Sequence, residues 1–345
     1  MALTNEIKEK ISIEVIRVMI AASEFVPAND CNNYNNPFLH AFADKLENNV
    51  SDVPYFISLA SWLHGLNTTF GQAFFENVAH ILCNGEKREY TSKKLGNLPI
   101  TKEQQETITQ IINDLSTSSK KPNLEAANRK LLQKDDSEKV KAEDFSADVF
   151  FENNDSVVAI ELKTVKPNSG GMKGEKQKIL EGKAALFHLF PNKQIYFFFG
   201  FPFDPTVNPE NESVTSYNKT RFLNSIVNAH KFCAQNEFLV ASELWDFLSG
   251  KENTTEDILL IINKIATTDF LQKMQLLKDN SKRNLAEYLS QLEDWNLFSE
   301  KELIINNNLI ISQLTNNNLV RTYNKIAFNK EGYNWDRYNT LKSLL

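Results

Sequence analysis

The sequence predicts a mixed α/β fold, with a mixed β-sheet core flanked by helices and helical additions at both ends. Three observations predict it. Segments rich in Val, Ile and Phe cluster mid-chain at 147–151, 157–165 and 194–201 and are bounded by turn-forming residues. The segments around them carry helical periodicity and capping boxes. Gly and Pro number only 11 and 10 in 345 residues, too few for a fold of many tight turns.

Taken in order, residues 5–24 read as an amphipathic helix with Ile11, Val15, Val18 and Met19 on one face. Cys31–Pro37 is a loop by composition. Thr69-Phe70-Gly71-Gln72 has the form of a capping box, opening a helix to about Cys83 with Phe70, Phe74, Val78 and Ile81 toward the core. Gln72, Glu76 and His80 then share another face. Thr101-Lys102-Glu103-Gln104 is a second capping box, for a helix to about Leu115. A loop at 116–122, a helix at about 123–133 and a charged segment at 134–144 follow. Glu152–Ser156 is a turn between the first two strands, and Asn168–Gly171 leads into a helix at about 172–190. The strand 194–201 ends at Pro202, a helix starts at Thr254–Asp257, and the remainder is mainly helical. The segments group as an N-terminal helical region (1–57), a core (58–262) and a C-terminal helical region (263–345).

The net charge of −6 argues against a protein that coats nucleic acid, but not against an enzyme with a basic cleft. Three widely spaced cysteines without a C-x-x-C pair suggest neither a disulfide framework nor a zinc site, and fit a reduced cytoplasmic setting. The apolar stretch Ile11–Ala22 holds Glu14 and Arg17, so it is no signal peptide. The most apolar run, Ile195–Phe203, is too short to span a bilayer. Neither a phosphate-binding glycine loop nor a G-x-S-x-G elbow is present, so no nucleotide cofactor is expected.

The chemistry-bearing pattern is Asp148 followed, after twelve residues, by Glu161-Leu162-Lys163. Alternation along a strand points Glu161 and Lys163 to one side and Val158, Ile160 and Leu162 to the other. A tight turn between Asn154 and Asp155 pairs Glu152 with Val157, and the same register sets Asp148 opposite Glu161. Two carboxylates about 5 Å apart repel by several kcal/mol at an effective dielectric of about 20. A divalent cation relieves that repulsion, and an all-oxygen, incomplete protein shell suits Mg²⁺. The competing reading is a surface strand with a cross-strand charge pair. Against it stand the register and the run 163–193, which holds seven Lys and two Glu just after the acidic centre.

Asp148 within SADVFF and Glu161-Leu162-Lys163 within VVAIELKTVKPNSGG resemble the PD-(D/E)xK nuclease superfamily. The stretch 62–250 is similar to type II restriction endonucleases, the TdeIII-type group in particular, through LNTTFGQAFFENVAHIL, KTVKPNSGGMKGEKQKIL and ELWDFLSGKENTTEDILLII. Ala147 stands where the superfamily usually has proline. The resemblance implies a restriction-endonuclease-like core acting as a homodimer on double-stranded DNA, leaving 5′-phosphate ends. It implies Asp148, Glu161 and the Leu162 carbonyl as Mg²⁺ ligands, Lys163 acting on the attacking water, and Glu76 as a helix carboxylate directed at the metal. Glu76 also reads as an ordinary exposed helix glutamate. Lys166, Lys173, Lys176 and Gln177 are candidate DNA contacts, and equally solvated side chains. The run 321–342 mixes Arg321, Lys325, Lys330, Arg337 and Lys342 with Tyr323, Tyr333, Trp335 and Tyr338, which is either a nucleic-acid grip or a packing face. A GC-containing palindrome such as GGNCC is the site that the TdeIII-type resemblance suggests. The alternatives are a structure-selective repair nuclease and a non-catalytic binding module.

Overall fold

A computed structural model of the chain describes residues 2–24, 73–163, 171–208, 210–213, 215–267 and 269–345. The loop at Cys31–Pro37 and the capping box at 69–72 lie outside these residues. The chain forms two compact units, one of residues 79–256 with the extreme N-terminus, the other of the described residues within 3–78 together with 257–345.

Five helices and nine strands carry the description. The helices are α1 (Asn5–Glu24), α2 (Phe75–Cys83), α3 (Lys102–Ser116), α4 (Leu124–Leu131) and α5 (Gly171–Leu189). In the first unit the strands are β1 (Glu86–Tyr90), β2 (Pro99–Thr101), β3 (Lys139–Lys141), β4 (Phe145–Glu152), β5 (Ser156–Leu162), β6 (Gln194–Phe201) and β7 (Phe238–Val240). The main sheet has the order β1-β4-β5-β6-β7. β4 runs antiparallel to both β1 and β5, whereas β5, β6 and β7 are parallel to one another. This is the mixed sheet with flanking helices that the sequence predicts.

Local chemistry explains the elements. Asn153 N–H donates to Ser156 O at 2.8 Å, closing the predicted turn, and the hairpin register runs from Glu152↔Val157 to Val149↔Ile160. Parallel β5 and β6 need a long crossover, which α5 supplies. The capping box of α3 forms as predicted: Thr101 Oγ1 accepts from Gln104 N, and Gln104 Oε1 accepts from Thr101 N at 3.0 Å. Asn123 caps α4 by accepting from Ala126 N at 2.8 Å.

One face of the sheet is covered by α3 and α5. Ile108, Ile112, Ile179 and Ala184 pack there with Phe145, Phe150, Phe197 and Phe199, each large side chain stabilising the fold by about 1.5–3 kcal/mol. Gly182 permits the approach of α5, because a Cβ there would lie 2.5 Å from Phe197 Cε1. On the opposite face, Phe247 of the helix Ser242–Ser249 meets Phe151 and Phe198. Both faces of β5 are therefore buried, and only its C-terminal end is polar.

In α2 the buried residues include Val78, Ala79 and Leu82, with Phe74 buried just before it, while Ile81 is half-buried. Phe74 and Val78 are thus buried as predicted, while in the last turn Leu82 is buried more fully than the predicted Ile81.

In the second unit, Ile11, Val15 and Val18 of α1 are buried as predicted, joined by Ile16 and Ile20, while Met19 is half-buried. Glu9 accepts from Ser299 N at 2.6 Å and from Ser299 Oγ at 2.8 Å. The N-terminal helix and the C-terminal helices, set apart in the sequence reading as 1–57 and 263–345, share this one unit. An amphipathic helix lacks a core of its own, and the apolar residues it needs lie at the other end of the chain. The strands β8 (Phe328–Asn329) and β9 (Gly332–Tyr333) form a small hairpin here.

Candidate active site

Asp148 is on β4, and Glu161 and Leu162 end β5, with Lys163 immediately after. The regular β4–β5 ladder stops at Val149↔Ile160. Against β1, the pairing jumps from Glu86↔Phe150 to Arg88↔Ala147, so two residues of β1 oppose three of β4. The extra residue falls in the segment Asp148–Val149. Bulges of this kind re-aim a side chain and interrupt pairing. Here the Asp148 carboxylate takes over a ladder position, its Oδ2 accepting from Leu162 N at 2.9 Å. His80 of α2 supports the same point, with Nε2 2.7 Å from Asp148 O.

Two lysines pair with the two carboxylates and with a third acid, Glu175. Lys87 Nζ of β1 lies 2.8 Å from Asp148 Oδ1. Lys163 Nζ lies 3.0 Å from Glu161 Oε1 and 3.1 Å from Glu175 Oε2, on α5. Ser146 Oγ donates to Glu161 Oε2 at 3.3 Å. Glu161 and Lys163 therefore share a side of the strand, as alternation predicts. Burial pushes the Glu161 carboxyl above its usual range; Lys163 opposes this, and the nearby Asp148 charge adds to it. Burial alone would lower Lys163, but the carboxylates of Glu161 and Glu175 more than offset that, and its pKa is raised. Lys163 is accordingly a firmly held ammonium. A cleft of about 480 Å³ opens beside Glu161, lined also by Glu89, Ser146, Glu175 and Lys178.

The donor set meets the requirements of a hard divalent cation. Two neighbouring carboxylates offer hard oxygen ligands, and the Asp148 charge adds to the raised proton affinity that burial gives Glu161. Among the described residues no group of three or more His, Cys, Asp or Glu side chains is arranged as a metal cage. A two-carboxylate set leaves positions for waters and a phosphate oxygen, which is how Mg²⁺ is usually held.

The other predicted residues separate. Glu76 is half-buried on the first turn of α2, one turn before His80. Lys166 lies outside the described residues. Lys173 is exposed. Gln177 is half-buried and donates to Glu143 Oε1 at 2.8 Å. Lys176 is corrected: it is 2% exposed and ion-paired with Glu237, so it holds α5 to the sheet side and does not face a DNA backbone. The basic run as a whole is corrected with it. Lys183 is buried, and Lys193 bonds Glu152 Oε1 at 2.6 Å, so much of the local charge is used inside the unit.

Lys87 and Glu175 were missed by the sequence reading. Lys87 lies in a charged strand, EKREY, without apolar alternation. Glu175 was legible only as an acid among lysines. A charge-assisted hydrogen bond is worth roughly 1.5–3 kcal/mol. Glu175→Ala is therefore expected to lower the turnover rate roughly ten- to a hundredfold, with little change in KM, when DNA cleavage is followed under saturating substrate. An unchanged rate would show that Glu161 alone holds Lys163.

With this geometry in place, comparison with known proteins gives two matches. The family model described as type II restriction endonuclease, HinfI, matches residues 3–266. The curated type II restriction enzyme MjaII of Methanocaldococcus jannaschii is 43% identical over 323 residues, covering 88% of this chain and 85% of that protein. No solved structure matches the chain. The family reached is HinfI, where the sequence reading named the TdeIII-type group, and the GGNCC expectation rested on that group alone.

Proposed function

Because the chain belongs to the HinfI family of type II restriction endonucleases, we propose that Asp148, Glu161 and Lys163 are the centre at which it hydrolyses DNA. The observation that carries this is the convergence of Lys87, Asp148, Glu161, Lys163 and Glu175 at the ends of three adjacent strands and one helix. Within the superfamily reading, PD-(D/E)xK describes the pattern that Asp148 and Glu161-Leu162-Lys163 form.

Asp148 and Glu161 would hold Mg²⁺, with the Leu162 carbonyl as a further ligand. Bound there, the ion supplies Lewis acidity and a water of lowered pKa. Lys163, kept charged by Glu161 and Glu175, neutralises a phosphate oxygen and orients the attacking water. Ser146 steadies the second oxygen of Glu161. Glu76, one helical turn from His80, is proposed as an additional carboxylate of the centre. Lys173, exposed at the start of α5, is proposed as a backbone-phosphate contact, with Lys166 near it in sequence.

Double-strand cleavage of a symmetric site suits a homodimer, which we include in the proposal. Among the described residues no helix is long and apolar enough to cross a membrane; a cytoplasmic setting is where such DNA is met.

The test is incubation of the purified protein with unmodified phage DNA and Mg²⁺, followed by sequencing of the ends. Discrete fragments with 5′-phosphates, lost on chelation, are expected. Smeared products or cutting confined to flaps and junctions would favour a structure-selective nuclease. Discrete fragments that persist under rigorous chelation would remove the cation from the proposal.

A further inference from the structure

Both oxygens of the Asp148 carboxylate are engaged. Oδ2 accepts from Leu162 N at 2.9 Å, and Oδ1 is paired with Lys87 Nζ at 2.8 Å. The Asp148 side chain is 12% exposed, so the partner it holds on Oδ1 is not easily replaced by bulk water. The Lys87 side chain is 39% exposed. It is carried on β1, an edge strand, opposite the bulge at Asp148–Val149 of β4. A long, flexible lysine stem on an edge can withdraw its head into solvent without disturbing the core.

Lys163 is built differently. It is gripped by Glu161 and Glu175 at once, is 20% exposed, and has no such exit. The two lysines are therefore not equivalent. Lys163 pairs with two carboxylates and is 20% exposed, whereas Lys87 pairs with Asp148 and is 39% exposed.

We propose that Lys87 is a cation gate: its ammonium holds Asp148 until a divalent cation displaces it. The inference rests on the reading that Asp148 is a metal ligand. Its physical basis is simple competition. An ammonium and a divalent cation cannot share Asp148 Oδ1 at contact distance without strong like-charge repulsion. Lys87 must leave, or the cation is held off. Before the cation arrives the centre sets Lys87 and Lys163 against Asp148, Glu161 and Glu175, and its affinity for the ion is set partly by how readily Lys87 leaves.

The test is direct Mn²⁺ titration of the full-length protein without DNA, by calorimetry or by loss of the free-ion electron spin resonance signal. Wild type, Lys87→Met, Lys87→Gln, Lys87→Arg and Asp148→Asn are compared, each checked for folding by circular dichroism. Lys87→Met and Lys87→Gln are expected to bind Mn²⁺ about tenfold more tightly, as removal of a competing charge requires. Lys87→Arg, which keeps the charge, should stay near wild type. Asp148→Asn should weaken binding about tenfold or more. If both neutral variants bind as wild type does while Asp148→Asn is defective, the gate is overturned and the ligand role of Asp148 stands. If Asp148→Asn binds as wild type does, the reading beneath the proposal fails instead. Two neutral variants guard against a single replacement that distorts β1.

Discussion

Replacing Glu161 by Ala is expected to abolish DNA cleavage, lowering the single-turnover rate by about a thousandfold or more while leaving the fold intact. The magnitude follows from the role proposed for the residue. Metal-assisted charge stabilisation is worth several kcal/mol, and about 4 kcal/mol corresponds to three orders of magnitude in rate. Glu161 is one of the two carboxylates proposed to ligate the cation directly from the sheet, so its loss leaves Asp148 as the other. Its other contacts, Lys163 Nζ at 3.0 Å and Ser146 Oγ at 3.3 Å, are polar and lie at the end of β5, away from the aromatic core. The circular dichroism spectrum and melting temperature should therefore change little. Cleavage of a plasmid carrying the recognition site, under excess enzyme, makes the measurement. A rate within tenfold of wild type would remove Glu161 from the centre. The raised Glu161 pKa adds a pH signature. In the metal-free protein a carboxyl held above its usual range takes up its proton at a higher pH than an ordinary carboxylate, so proton competition with cation binding should set in at a higher pH.

The second large effect concerns stability. Arg337→Ala is expected to destabilise the second unit by about 3–5 kcal/mol, because it strands a buried charge. Arg337 Nη1 lies 2.6 Å from Glu300 Oε2, with the side chains 1% and 0% exposed. Tyr333 Oη donates to the same oxygen at 2.9 Å. The pair is incompletely satisfied, since Glu300 Oε1 and Arg337 Nε have no hydrogen-bond partner. That predicts a contrast within the experiment. Arg337→Met combined with Glu300→Leu should recover much of the loss, as apolar replacement of both members of a buried pair often does. Urea unfolding followed by fluorescence of the four tryptophans reads both. A loss below about 1 kcal/mol in Arg337→Ala would mean that water reaches the pair.

The same contacts decide between the two readings of the C-terminal run. Arg337 and Tyr333 are buried on Glu300, Tyr338 donates to Glu302 Oε2 at 2.9 Å, and Tyr323 donates to Asn307 Oδ1 at 2.8 Å. These residues are a packing face. Arg337 and Tyr333 serve Glu300, Lys342 and Tyr338 serve Glu302, and Tyr323 serves Asn307, whereas Arg321, Lys325 and Lys330 are exposed.

The legible part of the site was the part governed by short-range rules. A hairpin with a two-residue turn has one register, so Glu152↔Val157 could be counted back toward Asp148. Alternation likewise set Glu161 and Lys163 on one side. The register failed only in its last step, where the bulge in β4 breaks the regular count and turns the Asp148 carboxylate onto Leu162 N. No residue pattern marks that bulge. Lys87 was hidden because β1 is an edge strand whose charged side chains carry no apolar period, and it is paired to β4 across more than fifty intervening residues. Lys176 misled for the opposite reason. A lysine reads as surface until the partner that buries it, Glu237, is brought in from sixty-one residues away.

The amino-acid order alone determined the β4–β5 hairpin, the capped helix α3, the crossover helix and the shared side of Glu161 and Lys163, because each rests on backbone geometry acting over fewer than twenty residues. Tertiary structure alone decided which lysines meet those carboxylates, which basic residues are buried, and that the two ends of the chain share one unit. Those outcomes depend on charge and apolar area being matched between segments distant in sequence, a matching that local periodicity does not encode.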